Sequence, residues 1–160
     1  MKIKTSEITY ITLFASLYVV LVIILAPISF YALQFRVAGI IRPGIAKKRI
    51  LVIGYCMGVF ISNFFSPFAG IHELIFMPLM ALISGLIAYE IASKFNQSYF
   101  IAGIVIAIII ALSVSWMLSQ LFLLPIFVTL PGILVSEITI NILGVFTYKL
   151  IDKRISIWDR

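Results

Sequence analysis

Residues 95–136 read FNQSYFIAGIVIAIIIALSVSWMLSQLFLLPIFVTLPGILVS, a stretch without one charged side chain. As a single α-helix it would extend on the order of 60 Å, twice the roughly 30 Å of hydrocarbon in a bilayer. The stretch therefore turns back once. Pro125, Pro131 and Gly132 mark the reversal, which gives spans near 99–118 and 129–150. Backbone facing lipid has to pair its own polar groups. Nothing in the chain alternates polar and apolar like a barrel strand, so the spans are helices.

Working outward, 8–26 is an apolar run stopped by Pro27, and 50–65 and 73–92 are two more, separated by the turn-forming Ser66-Pro67-Phe68-Ala69-Gly70. A weaker segment, 33–46, carries Arg36 and Arg42 and is interrupted by Pro43-Gly44. It reads as a short or kinked second helix. The whole chain of 160 residues is 63% apolar and 11% charged, with a mean hydropathy of +1.21. Soluble domains have about 45–50% apolar and roughly 25% charged residues. Lys2 and Lys4 precede the first run as in a secretory signal, but the run is longer than a usual signal core, so it reads as an uncleaved helix. A lone cysteine, Cys56, leaves no internal disulfide and no Cys/His metal spacing. One transmembrane domain covers residues 1–160.

The net charge of +6 would suit nucleic acid, but its distribution points to the membrane surface instead. If all six segments cross, one side receives Lys2, Lys4, Arg42, Lys47, Lys48, Arg49, Lys94, Lys149, Lys153, Arg154 and Arg160, and the other only Arg36. That is the positive-inside pattern. If 33–46 did not cross, the Lys47-Lys48-Arg49 cluster would lie outside. The expected fold is thus an all-α integral membrane protein, a six-transmembrane-helix bundle in the cell membrane with both termini cytoplasmic.

Ionisable groups inside a membrane are expensive enough to count as functional candidates. In this topology they gather toward the outer half: Gln34 and Arg36 at the first outer loop, Asn63, His72 and Glu73, Gln120, and Glu137 with Asn141 one turn below it. Glu90 with Lys94 is an ordinary i,i+4 pair at a helix end. The pattern reads as a polar pocket opening outward. Glu137 sits about two turns below the outer end of its helix, where a short carboxylate cannot snorkel. A direct ligand contact, a structural pair with Arg36 and an interhelical hydrogen bond each account for it. His72 and Glu73 lie at the outer boundary, where the helix dipole by itself favours an acid. Among the outer aromatic residues, Trp116 beside Ser113, Ser115 and Ser119 is the candidate for stacking on a planar ligand.

Enzymatic signals are lacking. One histidine without a His or Cys partner pattern makes no usual zinc site, and neither a nucleophile elbow nor a P-loop occurs. No catalytic residue, cofactor or metal is expected, and active transport would need another subunit to supply an ATP site.

The chain resembles the QueT-type substrate-binding subunits (S components) of energy-coupling-factor transporters. The resemblance is concentrated in residues 17–90. It rests on Leu17-Tyr18, Leu25-Ala26-Pro27-Ile28-Ser29, Leu33-Gln34-Phe35-Arg36-Val37 and Ile61-Ser62-Asn63-Phe64-Phe65-Ser66-Pro67, with a looser match at Ser136-Glu137 and Leu143-Gly144. The resemblance implies a six-helix bundle whose outward pocket, capped by the first loop, captures a queuosine precursor, a 7-deazaguanine base. A transmembrane coupling subunit and two cytoplasmic ATPases would then drive uptake. A guanine-type edge presents adjacent N–H donors that a carboxylate accepts in bidentate fashion, which makes Glu137 and Glu73 candidates to read it.

Two departures stand out. The family usually follows Gln-Phe-Arg-Val with Ser-Glu-Ala, whereas Ala38-Gly39-Ile40 lacks that acid, which bears on the cargo. S components often carry small residues four apart on the first helix where the coupling subunit docks, and here the positions are Thr12 and Ser16. The leading expectation is a substrate-capture subunit of an ATP-driven importer, with a small-molecule substrate and membrane lipid as its surroundings. The alternative is a structural or assembly subunit of a larger membrane complex, its polar residues bonding between helices.

Overall fold

The computed structural model describes residues 4–29, 36–154 and Trp158, and these are all helices and their connections. Helix α1 spans Thr5–Ile24 and is followed by one short helical turn, Ala26–Ser29. Helix α2, Val37–Ala46, is a 3-10 helix. Helices α3, Leu51–Asn63, and α4, Met77–Lys94, follow, with a π-helical turn, His72–Phe76, leading into α4. Helices α5, Tyr99–Phe122, and α6, Ile126–Asp152, complete the chain. Four of these are long and apolar enough to cross a bilayer: Thr5–Ile24, His72–Lys94, Tyr99–Phe122 and Ile126–Asp152. Two shorter apolar helices, Val37–Ala46 and Leu51–Asn63, pack among them. The chain is a multi-pass membrane protein.

The reversal in the uncharged stretch falls earlier than Pro131. Helix α5 ends at Phe122, Leu123 adopts a left-handed φ of 55°, and Pro125 caps the start of α6. Pro131 and Gly132 lie inside α6. A proline there forfeits its own N–H bond and crowds the Phe127 carbonyl, but so close to the start of the helix it disturbs only the first turn of the ladder.

Helix α2 explains how the weakest segment of the sequence fits. Pro43 lacks an N–H and its ring opposes the carbonyl four residues back in an α-helix, and Gly39 and Gly44 favour no helix strongly. At about 2.0 Å per residue, a 3-10 helix also carries ten residues further than an α-helix would, roughly 20 Å against 15 Å. Eight of its ten residues are buried: Ala38, Gly39, Ile41, Arg42, Pro43, Gly44, Ile45 and Ala46. It contacts α1, α3, α4, α5 and α6. Irregular backbone at membrane depth is tolerated where protein surrounds it, which is the situation of α2.

Close approach makes this enclosure possible. A Cβ on Gly144 would collide with the Ile40 carbonyl oxygen, and one on Gly44 would collide with the Tyr148 ring. Small residues at such crossings supply the van der Waals contact that drives helix association in lipid. Around α2 the other helices pack in the order α1–α3–α4–α5–α6. Apolar side chains such as Leu13, Ile75, Leu112 and Phe146 remain on the outside of the bundle.

Basic residues collect at one end. Lys48 Nζ lies 4.5 Å from the Tyr10 ring centroid and Lys47 Nζ 4.9 Å from that of Tyr99. Arg49 pairs with Glu90 at 3.6 Å, and the Tyr99 hydroxyl donates to Asp152 at 2.6 Å. Arg42 does not belong to this group. The charge count placed it on the cytoplasmic surface, but it is 1% exposed, because five residues of 3-10 helix carry it about 10 Å deeper than Lys47.

Gly144→Val is expected to lower stability by about 1–3 kcal/mol through overpacking. Gly132→Ala, where a Cβ meets nothing within 4 Å, is expected to raise it by up to about 1 kcal/mol through helix propensity. Thermal unfolding of the purified protein in detergent measures both.

Candidate functional site

Two buried polar groups lie where α2 meets its neighbours. The deeper one centres on Arg42, whose guanidinium pairs with Glu137 on α6. It also donates to the Tyr18 hydroxyl of α1 at 3.4 Å and stacks over the Tyr55 ring of α3, 5.4 Å from its centroid. Asn141 Nδ2 donates to the Glu137 carbonyl at 2.8 Å and to Glu137 Oε2 at 3.4 Å. Four elements thus converge on one ion pair. Glu137 has a structural partner, and it is Arg42 rather than Arg36.

The second group lies at the start of α2. Arg36 donates to Asn63 Oδ1 at 3.2 Å, and Asn63 Nδ2 donates to the Glu73 carbonyl at 2.6 Å. Arg36 and Glu73 approach to 3.7 Å. The π-helical turn contains Glu73, and its extra residue rotates the acid inward so that it is 1% exposed. Such turns recur at functional positions. Tyr55 belongs to the deeper group, its ring meeting Arg42 and packing against the Tyr18 ring at 5.5 Å between centroids.

Each group balances one guanidinium with one carboxylate, which is how a low-dielectric interior holds charge. Hydrogen bonding is incomplete. Among the described residues, both carboxylate oxygens of Glu73, Asn141 Oδ1 and Ser115 Oγ are buried and accept or donate no hydrogen bond. Buried polar atoms are nearly always bonded, so these four atoms mark bonding capacity that the described residues leave over.

The remaining candidates distribute differently. His72 and Trp116 face each other at 6.1 Å between ring centroids, and Trp116 packs on Phe76 at 4.7 Å. Successive helical residues point about 100° apart, so Ser115 is fully buried while Trp116 is 41% exposed. The aromatic group therefore flanks the buried chain. Gln34, Phe30, Tyr31 and Phe35 lie outside the described residues. Thr12 and Ser16 are exposed on α1, and the Thr12 hydroxyl donates to the Ile8 carbonyl at 2.9 Å.

Sequence reasoning missed Arg42, Tyr18 and Tyr55. The available signal was an arginine set between Ile41 and Pro43 in an apolar run, together with tyrosines near mid-helix whose hydroxyls need partners. Proximity to Lys47-Lys48-Arg49 masked it.

The family model for QueT transporters matches residues 8–153. The chain belongs to the QueT transporter family. Its members are transporters, not enzymes, and the membership covers every element that builds the two polar groups. No curated protein and no solved structure matches the chain significantly. In this QueT-family protein Arg36 and Asn63, one from each of two family-resembling stretches, are bonded to each other.

Removing one partner of a buried pair strands the other charge, at a cost of about 3–5 kcal/mol. Arg42→Met is expected to destabilise the protein by about that amount. The double variant Arg42→Met, Glu137→Met is expected to lose less than the single change. Unfolding midpoints of the three proteins test the order.

Proposed function

We propose that this protein is the substrate-capture subunit of an energy-coupling-factor importer, spanning the membrane six times with both termini in the cytoplasm. It binds a small planar base of the deazapurine class, such as a queuosine precursor, from outside. The observation that carries the reading is the buried Arg36–Asn63–Glu73 group in a QueT-family chain, with carboxylate oxygens that accept no hydrogen bond among the described residues. A guanine-type edge supplies two adjacent N–H donors to such a carboxylate.

Of the two acids, Glu73 is the better reader. Glu137 Oε2 already accepts from Arg42 and Asn141, whereas Glu73 meets Arg36 only at ion-pair distance. Arg36 fixes the carboxylate's charge and Asn63 fixes the turn that carries it. Asn141 Oδ1 and Ser115 Oγ offer further polar contacts deeper in the bundle, with Glu137 holding Asn141 in place. His72 and Trp116 form an aromatic flank.

Energising subunits are part of the proposal: a transmembrane coupling protein docking along Thr12 and Ser16 of α1, and cytoplasmic ATPases. Co-purification with an ATPase supports that assembly. Co-purification with an unrelated membrane complex supports the structural-subunit alternative.

Equilibrium titration of the purified protein with 7-deazaguanine bases tests the site. Glu73→Gln is expected to weaken binding by about 1–3 kcal/mol, roughly five- to 150-fold, and also to lower the unfolding midpoint because Arg36 loses its carboxylate, so affinity is read below that midpoint on folded protein. No affinity for any deazapurine or purine rejects the substrate class, and unchanged affinity in Glu73→Gln removes that residue from the site. Orientation has its own check: a cysteine placed at Lys48 is expected to resist impermeant thiol reagents added outside intact cells.

A further inference from the structure

The order α1–α3–α4–α5–α6 leaves one seam, between α6 and α1, bridged chiefly by α2. A groove of about 350 Å³ runs along it, lined almost entirely by carbon from Leu13, Phe14 and Leu17 of α1, Ile40 and Ile41 of α2, and Ile151 of α6. At the basic end of the bundle lies a second concavity of about 360 Å³, lined by Lys4, Glu7, Lys48 and Arg49. Tyr10 lines both. Its ring carries the Lys48 ammonium at 4.5 Å and stacks on Trp158 at 6.4 Å between centroids.

We propose that this seam binds one anionic phospholipid, an acyl chain lying in the groove and the phosphate among Lys4, Lys48 and Arg49. The two concavities reproduce the two halves of an amphiphile, joined where tyrosine and tryptophan sit. Such aromatic residues prefer the depth of lipid headgroups. Charge complementarity selects the headgroup. Three cations face one carboxylate, Glu7, whose Oε2 is already occupied by the Lys4 backbone N–H at 2.8 Å. Arg49 shares its charge with Glu90 at 3.6 Å, which leaves Lys48 and Lys4 as the main contacts. Basic pockets between membrane helices bind acidic headgroups in this way. A partner helix lying along the apolar groove would leave the charged concavity unfilled. The inference holds whichever leaflet the basic end occupies, and it does not depend on the substrate reading.

Trp158 reports on occupancy because it lines the groove. The full-length protein carrying Trp116→Phe, so that Trp158 alone fluoresces, is placed in phosphatidylcholine nanodiscs. Brominated phosphatidylglycerol or brominated phosphatidylcholine with the same chains is then added. Phosphatidylglycerol is expected to quench at a mole fraction at least tenfold lower, a preference abolished by about 1 M salt, where the screening length is about 3 Å. Lys4→Gln with Lys48→Gln is expected to remove the preference. Lys153→Gln with Arg154→Gln, which alters basic residues outside both concavities, is expected to keep it. If the first double variant does not fold, Lys48→Gln alone is expected to lower the preference about fivefold. Equal quenching by both lipids overturns the proposal. So do equal losses in the two double variants, which mark a diffuse surface effect, and an unchanged preference in Lys48→Gln.

Discussion

The buried pairing of Arg42 with Glu137 is the constraint around which the bundle is organised. A guanidinium at this depth is tolerated only if a carboxylate and further polar atoms reach it. Meeting that demand draws α1, α2, α3 and α6 together through Tyr18, Arg42, Tyr55 and Glu137. The same demand explains why α2 is central. Its Pro43 and 3-10 geometry would be unfavourable against lipid, and the surrounding helices remove that exposure.

Small residues and charge cooperate in this arrangement. Gly144 lets the α2 backbone touch α6, which brings Arg42 within reach of the α6 carboxylate, while Gly58 accepts the Tyr18 side chain against α3. A larger residue at the α2–α6 crossing would separate the helices and so weaken the ion pair. Packing and electrostatics here are one event. The π-helical turn before α4 plays a similar part at the other polar group, trading regular hydrogen bonding for an inward Glu73.

Much of the buried polar set that forms the candidate site was legible in the sequence, for a simple reason: polar residues inside apolar runs are conspicuous. Arg36, Asn63, Glu73, Glu137 and Asn141 were all visible as such, and all five are buried. Their partners were harder to read. Which carboxylate meets which guanidinium depends on helix order and depth, and a short sequence distance from Arg42 to Lys47 suggested a common surface. The 3-10 rise separates them.

Hydropathy, the length of apolar runs and their lack of alternation determine that this chain is a helical, multi-pass membrane protein, because lipid admits only helices or closed barrels. The motifs at 33–37 and 61–67 determine its family resemblance. Tertiary structure decided the rest: that 37–46 is a 3-10 helix enclosed by the others, that Arg42 lies inside, and that Glu73 and Glu137 belong to separate ion pairs. Those outcomes depend on contacts between residues distant in the chain, and a buried charge takes its partner from whichever helix packing brings nearest.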